Sequence, residues 1–299
     1  TMEMHQQLPL FPEQAEGTLF LRPVNVASVP QRSPFRYPGG KTWFVPAFRR
    51  WMNSLKYKPR VLIEPFVGGG IISLTALFEQ WVETVVMVEL DDEVASVWQT
   101  IVRGDAEWLA HQILTFQMTR ENVEAELQRV PTTTREKAFQ TILKNRTLHG
   151  GILAKGSRFI KHGENGKGIG SRWYPQTLAQ RIIHLRHIAS RIDFRHDDGL
   201  KVMMEFADRE DVIYFIDPPY TAGGKRAGKR LYKHHQIDHE NLFTICETLT
   251  GNFLMTYDES EEVKEMARRH KFQMRLIPMK TAHHTTIREV VIGRDIACL

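Results

Sequence analysis

Apolar positions in this chain fall into two rhythms. Short unbroken runs at residues 61–63, 84–88, 212–216 and 253–256, rich in Val, Ile and Phe, have the length and composition of buried strands. Apolar positions at helical spacing follow them, at 71–77, 92–102, 239–249 and 261–269. The run Gly68-Gly69-Gly70 separates the first strand from its helix, so residues 61–91 read as a strand, glycine turn, helix, strand unit. Two further runs, 272–277 and 287–292, predict a closing antiparallel hairpin. Between about 105 and 191 the rhythm is helical at 108–116, 121–130 and 135–148, then gives way to a glycine-rich basic loop over 150–172. No strand of convincing length interrupts that stretch. The expected architecture is therefore an α/β domain, residues 33–104 and 192–299, carrying an inserted helical module at 105–191. Residues 1–32, rich in Pro and Gln without periodicity, predict a flexible N-terminal arm.

Composition narrows the partners more than the fold. Lys and Arg number 40 against 35 Asp and Glu, a net charge of +5 that mildly favours a polyanion over an acidic partner. Only Cys246 and Cys298 are present, which argues against a disulfide framework or a thiolate metal site and fits a reducing, cytoplasmic setting. The pairs His234-His235 and His283-His284 have no third ligand nearby in sequence, so no metal is expected. Without an apolar run of about twenty residues or a signal-peptide layout, membrane insertion is not expected either.

The chemistry concentrates at strand ends. Asp217-Pro218-Pro219-Tyr220 follows the run 212–216 directly. Two prolines fix the backbone and leave carbonyls free to accept, Asp217 adds a carboxylate and Tyr220 a flat face. Such a corner can accept both protons of an amine while stacking on the ring that bears it. At the end of the first strand, Glu64-Pro65-Phe66-Val67-Gly68-Gly69-Gly70 sits where a doubly wound fold binds a nucleotide. An acid in that turn would repel a pyrophosphate, and the glycine spacing is not the dinucleotide fingerprint, which excludes an NAD enzyme and suits a cationic ligand. Glu89, at the end of the second strand, is placed to accept two ribose hydroxyls. Upstream, Phe35-Arg36-Tyr37-Pro38-Gly39-Gly40-Lys41 combines aromatics, a turn and a cation before a helical stretch through Trp51.

In this order, the segments 36–41, 64–70 and 217–220 resemble the Dam-like class of S-adenosylmethionine-dependent DNA adenine methyltransferases. The resemblance spans about residues 33–294 and implies a Rossmann-like methyltransferase sheet with an inserted DNA-recognition module. It implies cofactor contacts from Tyr37 and Lys41, from Glu64, Phe66 and Gly68 along the methionine and adenine portions, and from Glu89 on the ribose. Glu89 stands where the family usually has Asp, and Gly69 where it often has Ala. An acid that reads the cofactor's adenine is expected after the strand preceding the catalytic one; Asp197 and Asp198 qualify, and Asp198 is favoured because Gly199 follows at a helix start. Asp217, Pro218, Pro219 and Tyr220 are the implied catalytic residues.

The resemblance reaches the insertion more loosely, through Asn145-Arg146, His149-Gly150-Gly151 and Arg172-Trp173-Tyr174-Pro175. It implies that Arg146, His149 and Arg172 contact double-stranded DNA. After the catalytic corner, residues 221–233 carry five cations and three glycines without an acid, so Lys225, Arg226, Lys229 and Arg230 are expected on the phosphodiester backbone. The expected reaction is direct methyl transfer to the amine of a flipped-out adenine, which needs no nucleophilic cysteine. Methylation of the cytosine amine or of RNA is the alternative chemistry, and a non-catalytic DNA-binding relative the alternative class. A monomer is expected, and the resemblance admits a cognate restriction enzyme as partner.

Overall fold

The computed structural model describes residues 29–36, 40–149, 158–161, 168–219, 237–280 and 286–299. Seven strands form one sheet: β1 (Val61–Glu64), β2 (Thr84–Glu89), β3 (Ile192–His196), β4 (Val212–Ile216), β5 (Phe253–Asp258), β6 (Gln273–Lys280) and β7 (Thr286–Gly293). Their order is β3-β2-β1-β4-β5-β7-β6. The first five run parallel, and β7 enters antiparallel between β5 and β6, which is the expected closing hairpin. The order reverses between β1 and β4, so the C-terminal ends of these two strands open the crevice where doubly wound sheets hold ligands.

The continuous apolar runs follow from burial on both faces. Leu62, Val85, Met87, Ile213 and Phe215 face one cluster, whereas Ile63, Val86, Val88, Tyr214 and Ile216 face the other. Against the first face pack α1 (Val45–Ser54), α2 (Ile71–Phe78) and α3 (Asp92–Val102). On the second lie α8 (Gly199–Glu205), α9 (His239–Thr248) and α10 (Glu261–Arg269). The seven residues Ile71–Leu77 of α2 are all buried, including the polar Ser73 and Thr75 among its apolar residues. Polar residues mark where helices begin. Asp91 accepts from the N–H groups of Glu93 and Val94 at the start of α3, and Asp238 and Ser260 cap α9 and α10 in the same way.

The insertion holds α4 (Ala106–Thr115), α5 (Arg120–Gln128), α6 (Thr134–Thr147) and α7 (Pro175–His184). Thr133 caps α6 by accepting from Glu136 N–H, while the Glu136 carboxylate accepts from the N–H and hydroxyl of Thr132. These helices share the first cluster with the sheet: Leu109, Val123, Phe139, Ile142 and Leu178 belong to the same buried group as Leu62 and Ile72. An isolated bridge joins Leu148 to Phe159, the one pairing outside the sheet among the described residues. Two features differ from the sequence expectation. The helix expected at 108–116 begins two residues earlier, because Asp105 and Ala106 turn in directly after α3. Helix α7, begun by Pro175 at its first position, was not foreseen. Strand β3 lies where the resemblance implied a strand before Asp197, although no apolar run marks it. No helix among the described residues is long and apolar enough to cross a membrane.

Candidate active site at the switch point of the sheet

The turn after β1 is shaped by backbone geometry. Gly68 and Gly70 hold φ of +49° and +70°, which a side chain rarely adopts, and a Cβ on Gly70 would press on Trp98 and Val67 at 3.2 and 3.3 Å. The turn is tied down by Val67 N–H donating to Val88 O at 2.9 Å and by the Trp98 indole donating to Gly68 O at 2.9 Å. Gly199 serves a second close approach: its Cβ would lie 2.2 Å from Pro65 O. Helix α8 can therefore start against the end of β1.

Four carboxylates meet this edge of the sheet. Glu64 is 3% exposed, and one of its oxygens accepts from Ser73 N–H at 2.7 Å over the first turn of α2. Desolvation, offset in part by hydrogen bonds from Ser73, pushes its pKa up to about 8. Glu89 accepts from Gly68 N–H at 3.4 Å, and burial together with the charge of Asp91 raises it to about 8 as well. Among the described residues no cation offsets either shift. Asp217 follows β4 and makes two contacts: Thr256 Oγ1 donates to Oδ1 at 2.9 Å, and Lys41 Nζ lies 3.1 Å from Oδ2. Glu289 of β7 lies 3.7 Å from the same ammonium. Desolvation raises Asp217 above the usual carboxylate range against the pull of Lys41, and it raises Glu289 to about 7 in the same way.

Most of the expected cofactor residues come together here. Glu64, Gly68 and Glu89 surround the glycine turn. Phe66 is half-buried against the second cluster beside Leu200. Asp197 N–H donates to Glu89 O at 3.2 Å, which sets the Asp197-Asp198 pair beside Glu89 at the ends of adjacent strands. Asp198 is exposed and accepts from Leu200 N–H as the cap of α8, while Asp197 pairs with Lys201 at 3.3 Å. The Lys41 ammonium is engaged with Asp217, so it bridges the first motif to the third. Pro218 and Pro219 are half-buried at the site. Tyr37, Tyr220, Lys225, Arg226, Lys229, Arg230 and both histidine pairs lie outside the described residues. Among those described, no group of three His, Cys, Asp or Glu could hold a metal.

The insertion residues divide. Arg146 is 4% exposed and donates to Pro34 O at 3.1 Å and Arg172 O at 3.2 Å. Its neighbour Asn145, fully buried, accepts from Arg36 N–H at 2.9 Å and donates to Arg36 O at 2.8 Å. Arg146, expected on the DNA, is thus buried and donates to two main-chain carbonyls, while its Nε has no hydrogen-bond partner among the described residues. Arg172 is half-buried and His149 exposed, with His149 N–H donating to Arg158 O. Two site residues escaped the sequence reading altogether, Thr256 and Glu289. Thr256 is marked locally only as a polar residue after an apolar run, and Glu289 only as an acid between Arg288 and the apolar residues 290–292.

Strand order, glycine turn and acids at the ends of β1 and β2 together define a Rossmann-like methyltransferase. Residues 37–281 match the profile of the D12 class N6 adenine-specific DNA methyltransferases, and the chain belongs to that family. The cofactor of such enzymes is S-adenosylmethionine. A DNA N-6-adenine-methyltransferase of Escherichia phage P1 is 25% identical over 256 residues, covering 82% of this chain. The chain spans about a third of that relative's length, 32%. Among solved structures, a candidate RNA methyltransferase from Pyrococcus horikoshii is similar with a TM-score of 0.38 at 11% identity, covering 87% of this chain and 85% of its own. The rRNA methyltransferase aviRa from Streptomyces viridochromogenes gives 0.34 at 12% identity, over 84% and 83%. At such TM-scores the likeness carries no weight beside the strand order and the family match.

Proposed function

We propose that this protein transfers a methyl group from S-adenosylmethionine to the exocyclic amine of an adenine flipped out of double-stranded DNA. The observation that carries this reading is Asp217, held at the switch point by Thr256 and Lys41 with part of its side chain, 29%, open to the crevice. The carboxyls on the other side of the crevice, Glu64 buried and Glu89 half-buried, fit the cofactor. Glu64 and Glu89 are costly to ionise alone, so they suit a ligand that brings its own positive charge and hydroxyl donors. Glu64, Phe66 and Gly68 would hold its methionine and adenine portions, Glu89 its ribose and Asp198 its adenine amine. When bound, it supplies a methyl group on a sulfonium sulfur.

The protein's own contribution is acceptor geometry. The Asp217 carboxylate and the Pro218 carbonyl accept from the two N–H bonds of the target amine, which turns the nitrogen lone pair toward the incoming methyl. As the nitrogen gains positive charge, fixed acceptors in a partly dry site stabilise it without reorganising. Tyr220 stacks on the base. Residues 105–191 form the target-recognition module, with Arg172 and His149 among its DNA contacts, and Lys225, Arg226, Lys229 and Arg230 meet the backbone. The test is transfer of labelled methyl to unmethylated DNA with nucleoside analysis of the product. N6-methyladenine at a recurring short site is expected; label on cytosine, on RNA only, or on nothing despite cofactor binding overturns the assignment.

A further inference from the structure

Lys41 stands between two carboxylates, one assigned above and one not. Its ammonium is nearly enclosed, with a side-chain exposure of 8%, at 3.1 Å from Asp217 and 3.7 Å from Glu289. Glu289 directly precedes the apolar run Val290–Ile292 of β7 and is 7% exposed. Its second oxygen, Oε2, is buried without a hydrogen-bond partner among the described residues. A buried acceptor left unpaired is costly, and an apolar residue at this position would avoid the cost. The carboxylate therefore calls for a role other than packing.

The role follows from what Asp217 must do. A carboxylate fully neutralised by one lysine is a weak acceptor toward a third group, because the cation has already taken up its charge. A second carboxylate competing for that lysine restores the acceptor strength. We propose that Glu289 is a positioning residue for methyl transfer: by sharing the Lys41 ammonium it fixes that cation in place and keeps Asp217 a strong acceptor for the amine of the target base. The inference rests on the function proposed above and names a further residue of the same site.

The charges around Glu289 agree with this. Lys41 faces it from the segment before α1, Asp217 from the end of β4, and Asp258 from the register position opposite it on β5. Across the other edge its neighbour on β6 is the apolar Ile277. The only cation in this set is Lys41. Burial, with Asp217 and Asp258 adding to it and Lys41 opposing, sets the proton affinity of Glu289 near 7, so its hold on Lys41 strengthens as pH rises through neutrality.

The test compares Glu289→Gln and Glu289→Asp with the unmutated protein in steady-state methylation across pH. Removing the negative neighbour lowers the proton affinity of Asp217. Glu289→Gln should therefore move the acid limb of kcat down by about one pH unit. Its plateau kcat should fall about tenfold, with KM for cofactor and DNA within about twofold of the original. Glu289→Asp, which keeps the charge, should restore the acid limb. An unmoved limb with unchanged kcat overturns the proposal, and a change confined to the cofactor KM reassigns Glu289 to cofactor binding. In the unmutated protein, the carboxyl carbon resonance of Asp217, assigned with Asp217→Asn, should show an inflection near pH 7 as Glu289 titrates. A flat response there overturns the coupling even if the variants do not fold. If Asp217→Ala retained full turnover, the underlying function would fail instead, whatever Glu289 did.

Discussion

The two sides of the crevice hold their carboxylates in opposite ways. Glu64, buried at the end of β1, and Glu89, half-buried at the end of β2, have no cation to offset them among the described residues, and both are pushed up to about 8. Asp217 and Glu289, beyond β4 and on β7, share an internal ammonium. The first pair is incomplete without a ligand that carries positive charge. The second pair already shares a cation, and what it offers a ligand is acceptor geometry. One edge of the sheet is thus suited to receive a cation, and the other to accept hydrogen bonds from a neutral amine.

This contrast can be broken at its strongest point first. Asp217→Ala should reduce turnover by at least on the order of 10²–10³-fold while cofactor affinity, measured by calorimetry, stays near its original value. Comparable losses in both would merge the two sides into one binding site. Glu64→Gln keeps an acceptor for Ser73 N–H but can no longer ionise, so cofactor affinity should fall about tenfold with the melting temperature nearly unchanged. Unaltered affinity would remove the electrostatic basis of the first side. The smallest effect is on stability. Glu64 and Glu89 keep their protons in the folded state to about pH 8, whereas the ordinary glutamate value is 4.5. The stability they contribute is full below 4.5 and is lost as pH rises through about 8. The ligand-free melting temperature should drop by a few degrees across that window. Saturating cofactor, which favours the ionised forms, should flatten the slope; a rise with pH in the absence of ligand would contradict the assigned shifts.

How much of this was legible in the sequence depended on distance along the chain. Strands β1, β2, β4 and β5 showed as apolar runs because helices cover both faces of the sheet. Strand β3 did not, since at the edge only Ile192 is buried and Asp193, Arg195 and His196 break the pattern. Helix α7 starts at Pro175 without a side-chain cap, so it carried little of the usual start signal. The glycine turn and the Asp-Pro-Pro corner were readable because the backbone itself demands Gly or Pro there. The ion pair of Lys41 with Asp217, the hydroxyl of Thr256 and the second carboxylate of Glu289 were not. Each joins segments far apart in sequence, and only the strand order brings them together.

The clamp formed by Asn145 and Arg146 has a consequence for engineering. These two residues of α6 hold the main chain of Pro34 and Arg36, just ahead of the segment that carries Lys41. The described helices between α3 and β3 thus rest also on a strip of chain well upstream of them. If residues 105–191 recognise the target as proposed, exchanging them between relatives would require moving residues 33–36 with them. A graft cut at the obvious boundaries would leave a buried asparagine and a buried arginine facing the wrong backbone.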